Sequence, residues 1–253
     1  MSIKTAVADG VATIEIARPE KKNAITGDMY LAMRDALLAA DAEGAVRAVL
    51  ITGQPGIFSS GNDIEDFMSR PRDETPPSIQ FMAALTGCSK PVVAAVTGAA
   101  IGIGTTMLLH CDLVYVSDEA RLSMPFVSLG LVPEFASSLV VPRLMGHARA
   151  AEKLLLGDPI GPEQAVEFGI ANAVLPAAEV VNHARRAAER FNPLPPGAVR
   201  ETKKLLRRTS RDEVQQAIAA EAEVFAARLR SPEAMEAFQA FFRKRKPDFS
   251  KFS

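Results

Sequence analysis

The chain has few cysteines, few histidines and almost no net charge, and each shortage argues against a class of protein. Its 253 residues include two cysteines and three histidines, without the spacing of a disulfide framework or a metal site. A net charge of -1 provides no overall field that would attract nucleic acid, so an anionic ligand must be held by a local group of basic residues. The composition favours a small-molecule ligand, with no metal and no nucleic-acid partner.

Long apolar runs are missing as well. No window approaches the roughly 18 uninterrupted apolar residues of a membrane span, and the N-terminal segment lacks the apolar core of a signal peptide. Apolar residues make up 48% and charged residues 23% of the chain, which is ordinary for a globular protein. We expect a cytoplasmic protein with no membrane partner, in which Cys88 and Cys111 are buried, unpaired thiols.

What the sequence does contain is an alternation of β-rich runs with helical patterns, which is typical of an α/β fold. A helix is predicted over 28–42, and the segment DETPP at 73–77 is predicted to be a mobile surface loop. The predicted strands are 5–8, 11–16, 46–52, 91–98 and 112–117.

The pattern changes near residue 195. Prolines and Gly197 interrupt the chain there, and no further strand is predicted. A long helix is predicted after this break, because Val214, Ile218, Phe225 and Leu229 recur at the spacing of one apolar helix face. The sequence therefore divides into a core over 1–194 and a helical region over 195–253.

Two glycine-bearing loops follow strands, GQPGIFSSGNDI at 53–64 and GAAIGIG at 98–104. A glycine-rich turn that opens a helix exposes backbone N–H groups, which can hold a phosphate or a developing oxyanion. The second loop fails the dinucleotide fingerprint because Met107 stands where a third glycine is needed, and no P-loop lysine follows Gly104. Glycines that merely permit tight turns are the alternative for either loop.

Six segments, in their order and spacing, resemble the enoyl-CoA hydratase/isomerase family, also called the crotonase family. The segments are RPEKKNAI (18–25), FSSGNDI (58–64), KPVVAAVTGAAIGIG (90–104), CDLVYVSDEARLSMP (111–125), LGLVPE (129–134) and GDPIGPEQAVEFGIANAVLP (157–176). The resemblance implies a spiral of ββα units and a helical C-terminal region that covers the site or a neighbouring subunit. It also implies a homotrimer or a dimer of trimers and an acyl-CoA thioester, in which coenzyme A is part of the substrate rather than a separate cofactor.

The resemblance also assigns site residues. Backbone N–H groups of Ser60 and Ile103 would form an oxyanion hole for the thioester oxygen, where each fixed donor is worth on the order of 3 kcal/mol. Lys21, Lys22 and Ala24 would lie along the CoA nucleotide, although Lys21 and Lys22 could equally be plain surface lysines. The remaining predicted contacts with CoA or substrate are Gly61, Asn62, Asp63, Ile64, Gly104, Thr106 and Phe126.

Two departures from the family pattern bear on the reaction. In the hydratases of the family that this chain resembles, glutamates stand at the two positions where this chain has Thr106 and Phe126. Neither side chain can move a proton, so a hydratase would lack its acid and its base here.

Glu134 is a single carboxylate in the apolar run LGLVPEFA. In the 3-enoyl-CoA to 2-enoyl-CoA isomerases that this segment resembles, one glutamate at this position moves a proton from C2 to C4. The apolar neighbours Leu131, Val132, Phe126 and Phe135 would exclude water and raise the pKa of Glu134. The alternative is that Glu134 caps a helix beginning near Ser137 or Ser138.

The remaining candidates are weaker. His110, His147 and His183 are predicted to have core or surface roles, and Asp63 and Asp112 are predicted to be structural. In relatives the terminal helix covers the CoA site, which makes Phe241 and Lys244 binding candidates. The sequence thus predicts an acyl-CoA isomerase, with two alternatives: another crotonase-family reaction such as hydration, or an acyl-CoA-binding protein without catalysis.

Overall fold

The strands of the chain divide between two sheets. The computed structural model describes residues 2–69 and 75–252. In it a six-stranded sheet has the order β1-β2-β3-β5-β7-β9, and a three-stranded sheet has the order β4-β6-β8. The strands are β1 Ile3–Ala8, β2 Val11–Ile16, β3 Ala48–Thr52, β4 Ile57–Ser59, β5 Val92–Val96, β6 Ala99–Ile101, β7 Leu113–Ser117, β8 Arg121–Ser123 and β9 Ala173–Leu175.

A repeat underlies this division. The pairs β3/β4, β5/β6 and β7/β8 each send their first strand to the large sheet and their second strand to the small one. Neighbouring strands from successive pairs are parallel, whereas β1 and β2 form an antiparallel hairpin. The predicted α/β fold with a spiral of repeated units is confirmed.

The large sheet is covered on both faces, which explains the unbroken apolar runs of its central strands. All five residues of β3 and all five of β5 are buried, as expected for parallel strands between two layers. Met33 of α1 and Phe81 of α3 belong to the core on one face. Ala184 of α8 packs against Leu50 and Val93 on the other.

Helices follow most of the strands. Their bounds are α1 Gly27–Ala42, α2 Ile64–Ser69, α3 Pro77–Gly87, α4 Ile103–Thr106, α5 Ser137–Met145, α6 His147–Ala151, α7 Pro162–Glu167, α8 Val180–Glu189, α9 Pro196–Leu206, α10 Arg211–Arg228 and α11 Pro232–Phe242. Residues 73 and 74 of the predicted surface loop lie outside the described part of the chain, and Pro77 begins α3.

The helical region at the C-terminal end is anchored to the core by buried polar contacts. Lys203 of α9 donates from Nζ to the Asp112 carboxylate and to the Lys90 carbonyl oxygen, each over 2.6 Å. Asp112 also accepts from Arg207 over 2.8 Å and is therefore structural, as predicted. Ile218 and Phe225 are the buried apolar residues of α10.

The two cysteines, His147 and His183 lie outside the glycine-bearing loops and the segment of Glu134. Both thiols are unpaired, but Cys111 is half-buried rather than buried, unlike Cys88. His147 is exposed, and His183 packs against the ring of Tyr115. Within the described residues no helix has the length and apolar character to span a bilayer, and no three metal-binding side chains come together.

Candidate active site

The two glycine-bearing loops lie side by side because β4 and β6 are parallel neighbours. A Cβ atom on Gly104 would lie 3.1 Å from Cβ of Ser59, and one on Gly61 would lie 3.0 Å from the carbonyl oxygen of Ile101. Gly61 also has a φ of +93°, which side chains rarely permit. The close approach of the two loops therefore favours glycine at both positions, and the backbone conformation favours it further at Gly61.

The two predicted oxyanion donors differ in their present partners. Ile103 is the first residue of α4, and the first amides of a helix have no acceptor inside it. The Ser60 amide, in contrast, donates to the carbonyl oxygen of Lys22 over 3.1 Å. A ligand oxygen at Ser60 would have to share this hydrogen bond or replace it.

The segment that carries Lys21 and Lys22 is fastened to the first loop by Asn23. The Asn23 side chain is buried and donates to the carbonyl oxygens of Ile57 and Phe58. Lys22 and Asn23 have φ values of 51° and 55°, so the chain turns sharply and leaves both lysines exposed. Lys21 lies 3.7 Å from Glu65, an exposed pair that costs little to break.

Asp63 is occupied by structural contacts. Its carboxylate accepts from the Arg18 guanidinium over 2.6 Å and from the Asp66 amide over 3.1 Å. Burial by itself would raise the pKa of Asp63, but these hydrogen bonds and the Arg18 charge lower it below its ordinary value. The side chain therefore secures the start of α2, and a contact with CoA would fall to the neighbouring backbone.

A cavity of 780 Å³ opens beside the first loop, with Asn62 in its wall. This volume suits a ligand of moderate size. A smaller pocket of 110 Å³ contains Glu134 and shares six wall residues with the cavity. The shared residues are Pro76, Ser78, Ile79, Ala222, Ala226 and Leu229.

Glu134 is a buried carboxylate whose Oε1 atom has no hydrogen-bond partner. Burial, and secondarily the charge of Glu221, raise the pKa of Glu134 to about 8. The pocket around it is lined by Met82 of α3 and by Ile218 and Phe225 of α10. Among the sequence neighbours expected to shield Glu134, only Phe135 lines this pocket, so the shielding comes mainly from distant helices.

The helix-cap alternative for Glu134 is wrong. The residue contributes its carbonyl oxygen, which accepts from the hydroxyl of Ser137 over 2.6 Å, while its carboxylate caps nothing. The amides of Ala136 and Ser138, at the start of α5, donate to the carboxylate of Glu221 over 2.6 and 2.9 Å. The cap exists, but a residue 87 positions away provides it.

Tyr30 connects the first loop with the region of Glu134. Its hydroxyl donates to Oδ1 of Asn62 over 2.6 Å. Burial, followed by the charges of Glu134 and Asp66, raises the pKa of Tyr30 well above its ordinary value. The phenol therefore stays protonated and acts as a donor at the wall of the large cavity.

Thr106 and Phe126 are buried. The Thr106 hydroxyl oxygen lacks a partner, and the Phe126 ring lies beside Gly102. Of the predicted catalytic, oxyanion-hole and substrate-binding residues, Asn62 and Glu134 line the two cavities, and none of the others is among the described wall residues. Phe241 and Lys244 are exposed near the end of the chain.

Sequence reasoning assigned no site role to Glu221 or Tyr30, and it predicted only a core or surface role for His110. Glu221 had a visible signal, because it interrupts the apolar face of α10 between Ile218 and Phe225 at helical spacing. Tyr30 gave no comparable signal, since a tyrosine on the buried face of α1 is ordinary.

Comparison with known proteins agrees with the resemblance. The family model described as enoyl-CoA hydratase/isomerase matches residues 6–251. The chain is 33% identical over 245 residues to human enoyl-CoA delta isomerase 2, covering 94% of this chain and 62% of the human protein. It is 30% identical over 254 residues to a probable enoyl-CoA hydratase of Bacillus subtilis, covering 98% of each.

Among solved structures, Pseudomonas aeruginosa OdaA superposes with a TM-score of 0.92 at 52% identity, covering 95% of this chain and 98% of that one. The chain spans about three fifths of the human relative that it matches. Both isomerase and hydratase names occur among the relatives.

Proposed function

Because the chain belongs to the enoyl-CoA hydratase/isomerase family, we propose that it moves the double bond of a 3-enoyl-CoA to the 2-position. One observation carries the proposal: Glu134 is a buried carboxylate with a raised pKa and an unpartnered oxygen in the wall of a ligand-sized cavity system. A base needs these properties to take a weakly acidic carbon-bound proton near neutral pH.

In the proposed reaction, ionised Glu134 removes a proton from C2, next to the thioester carbonyl. The C2–H electron pair forms a C1=C2 double bond and the carbonyl π electrons move onto the thioester oxygen, which gives a dienolate that still contains the C3=C4 bond. Glu134 then returns the proton to C4, which leaves a C2=C3 double bond and restores the carboxylate. One carboxylate is sufficient because no water is added.

The amides of Ser60 and Ile103 are the proposed donors to the dienolate oxygen. Support comes from the contact between their two loops. The Ser60 amide must exchange its present acceptor, the Lys22 carbonyl oxygen, for the substrate oxygen. We expect this exchange to move the segment that carries Lys21 and Lys22 when acyl-CoA binds.

The human delta isomerase 2 relative supports isomerisation, whereas the Bacillus subtilis relative supports hydration. Hydration needs a second proton-transfer group. The family positions for that chemistry hold Thr106 and Phe126. Glu221 is the second buried carboxylate near Glu134, but its oxygens already accept three hydrogen bonds.

The test is a spectrophotometric comparison of 3-enoyl-CoA and 2-enoyl-CoA substrates over a range of chain lengths. The proposal expects conversion of 3-enoyl-CoA without appreciable hydration of 2-enoyl-CoA. Water addition without isomerisation would favour a hydratase. Binding of both substrates without turnover of either would favour a non-catalytic acyl-CoA-binding protein.

Assembly is a further part of the proposal. Leu205 and Leu206 of α9 are 63% and 79% exposed, and Phe241 near the end of α11 is 58% exposed. Exposed apolar side chains on the helical region support a contact with another copy. Sedimentation at micromolar concentration should therefore give a trimer or a hexamer, and a clean monomer would contradict this expectation.

A further inference from the structure

The chain turns through an uncommon conformation directly after Glu134. Phe135 and Ala136 are both left-handed, with φ values of 59° and 56°, although neither is glycine. Both are also buried. Two successive residues with side chains rarely adopt this region unless surrounding contacts hold them there.

The carboxylate of Glu221 holds one end of this turn. Its Oε2 accepts from the Ala136 amide over 2.6 Å, and its Oε1 accepts from the amide and hydroxyl of Ser138 over 2.9 and 2.5 Å. Ala136, the N-cap residue of α5, has no side chain that could cap the helix. Glu221 therefore takes over that role from across the pocket.

His110 holds the other end. Its Nε2 atom lies 2.7 Å from the carbonyl oxygen of Phe135, and the two rings stack with centroids 4.1 Å apart. Burial lowers the pKa of His110 to about 4, despite the hydrogen bond to Phe135. The ring is therefore neutral and carries its proton on Nε2, because a carbonyl oxygen needs a donor.

Glu221 is an unusual choice if stability is its only purpose. It is buried, and within residues 2–69 and 75–252 no lysine or arginine forms an ion pair with it. A buried carboxylate without a counter-ion is costly, and a neutral serine or asparagine on the helix itself could cap α5. Its charge also acts on Glu134, so the arrangement places two acids close together.

We propose that Glu221 is a positioning residue, which fixes the turn at Phe135 and Ala136 and thereby the direction of the Glu134 carboxylate. Its helix, α10, lines the pocket of Glu134 through Ile218, Ala222 and Phe225. An acyl chain that contacts this face of α10 would therefore lie against the helix that carries Glu221, the residue that aligns Glu134. The inference rests on the proposed function in naming Glu134 as that base.

The test compares Glu221→Gln with Glu213→Gln in the full-length protein. Glutamine keeps the length of Glu221 but replaces one acceptor oxygen with an NH₂ group that faces an amide hydrogen. Glu213 is a matched control, because it also joins α10 to α5, through Arg143 over 2.7 Å, but does not touch the turn. Ser138→Ala removes only one of the three donors and provides a milder variant if Glu221→Gln folds poorly.

We expect hydrogen exchange at the Ala136 and Ser138 amides to accelerate by roughly tenfold or more in Glu221→Gln and to stay unchanged in Glu213→Gln. With 3-enoyl-CoA, kcat should fall by about 10- to 100-fold in Glu221→Gln while KM changes by less than about threefold, because misalignment affects the reaction more than binding. Ser138→Ala should show the same pattern to a smaller extent.

Unchanged hydrogen-exchange protection of the Ala136 and Ser138 amides would overturn the inference that Glu221 holds the turn. Faster exchange with an unaltered kcat would overturn its positioning role, as would an equal loss of kcat in Glu213→Gln. A wild-type protein that turns over no 3-enoyl-CoA would refute the proposed function, and the exchange comparison would then decide separately whether Glu221 holds the turn.

Discussion

The loop that carries Glu134 and the face of α10 that carries Glu221 each bury a glutamate beside the start of α5, but the two carboxylates have different surroundings. Glu221 accepts three hydrogen bonds, whereas Oε1 of Glu134 accepts none. Burial raises the pKa of both residues. For Glu221 the hydrogen bonds oppose this rise, and nothing comparable opposes it for Glu134. One carboxylate is thus suited to hold structure and the other to exchange a proton.

The strongest challenge to this comparison is Glu134→Gln. The substitution keeps the shape of the side chain and removes the proposed base, so turnover of 3-enoyl-CoA should fall by about 10²- to 10⁴-fold while acyl-CoA affinity changes little. Steady-state kinetics together with calorimetric binding would measure both quantities. A mutant as fast as the wild type would refute the single-base reaction.

The same substitution should increase stability at high pH. The pKa of Glu134 is about 8 in the folded protein and about 4.5 in the unfolded chain. Between these two pH values Glu134 is ionised in the unfolded chain but still protonated in the folded protein. The free energy of unfolding therefore decreases as the pH rises from about 4.5 to about 8. Glu134→Gln removes this loss. The mutant should match the wild type near pH 4.5 and exceed it by roughly 3–5 kcal/mol in the free energy of unfolding above pH 8.

Urea titrations at pH 5, 7 and 9 would measure this difference. Glu221→Gln should instead lower the free energy of unfolding at neutral pH by about 1–2 kcal/mol, because it loses hydrogen bonds at the start of α5. A Glu134→Gln effect of equal size at all three pH values would contradict the raised pKa.

A third prediction concerns the pH dependence of the wild-type reaction. The proposed base Glu134 can accept a proton only when it is ionised, so kcat/KM should rise about tenfold per pH unit below its pKa of about 8 and level off above it. The titratable groups near it are Glu221 on α10 and Tyr30 on α1. Tyr30 remains protonated in this range and should not contribute to the profile. If kcat/KM instead levels off near pH 5, the pKa of Glu134 is not raised by burial.

The smallest expected effect concerns exposed lysines, far in character from the buried carboxylates Glu134 and Glu221. Replacing both Lys21 and Lys22 with alanine should weaken CoA binding by about 1–2 kcal/mol, more at low salt than at high salt, with little change in turnover of bound substrate. Replacing Lys4 and Lys204, two exposed lysines with similar ion pairs, provides the control. Equal affinities for both double mutants in calorimetry would remove Lys21 and Lys22 from the site.

Much of the fold was predictable because its signals are local in the sequence. The strands predicted at 11–16 and 46–52 correspond to β2 and β3, since β-rich apolar runs bounded by turns favour buried parallel strands. The short strands β4, β6, β8 and β9 were missed as separate elements. At three residues each, they are too short for a periodic pattern to emerge.

The site was predictable in its parts and not in its connections. Glu134 was found as an isolated charge in apolar sequence, yet its shielding by Met82, Ile218 and Phe225 involves residues some 50 to 90 positions away. The amide of Ser60 was predicted to be an oxyanion donor from its place in the loop, and its hydrogen bond to the carbonyl oxygen of Lys22 could not be read from that place. Long-range contacts of this kind leave no trace in local spacing.

The sequence alone determined the alternation of the longer strands with helices, the glycines of the two loops and an acid in an apolar segment, because these depend on backbone preference and local hydrophobicity. The tertiary structure alone decided which glutamate caps α5 and which keeps a carboxylate oxygen without a hydrogen bond. That outcome depends on α10 packing across α5, which places the carboxylate of Glu221 on the amides of Ala136 and Ser138. A carboxylate becomes a cap or a base according to the donors within about 3 Å of it, and those donors come from distant parts of the chain.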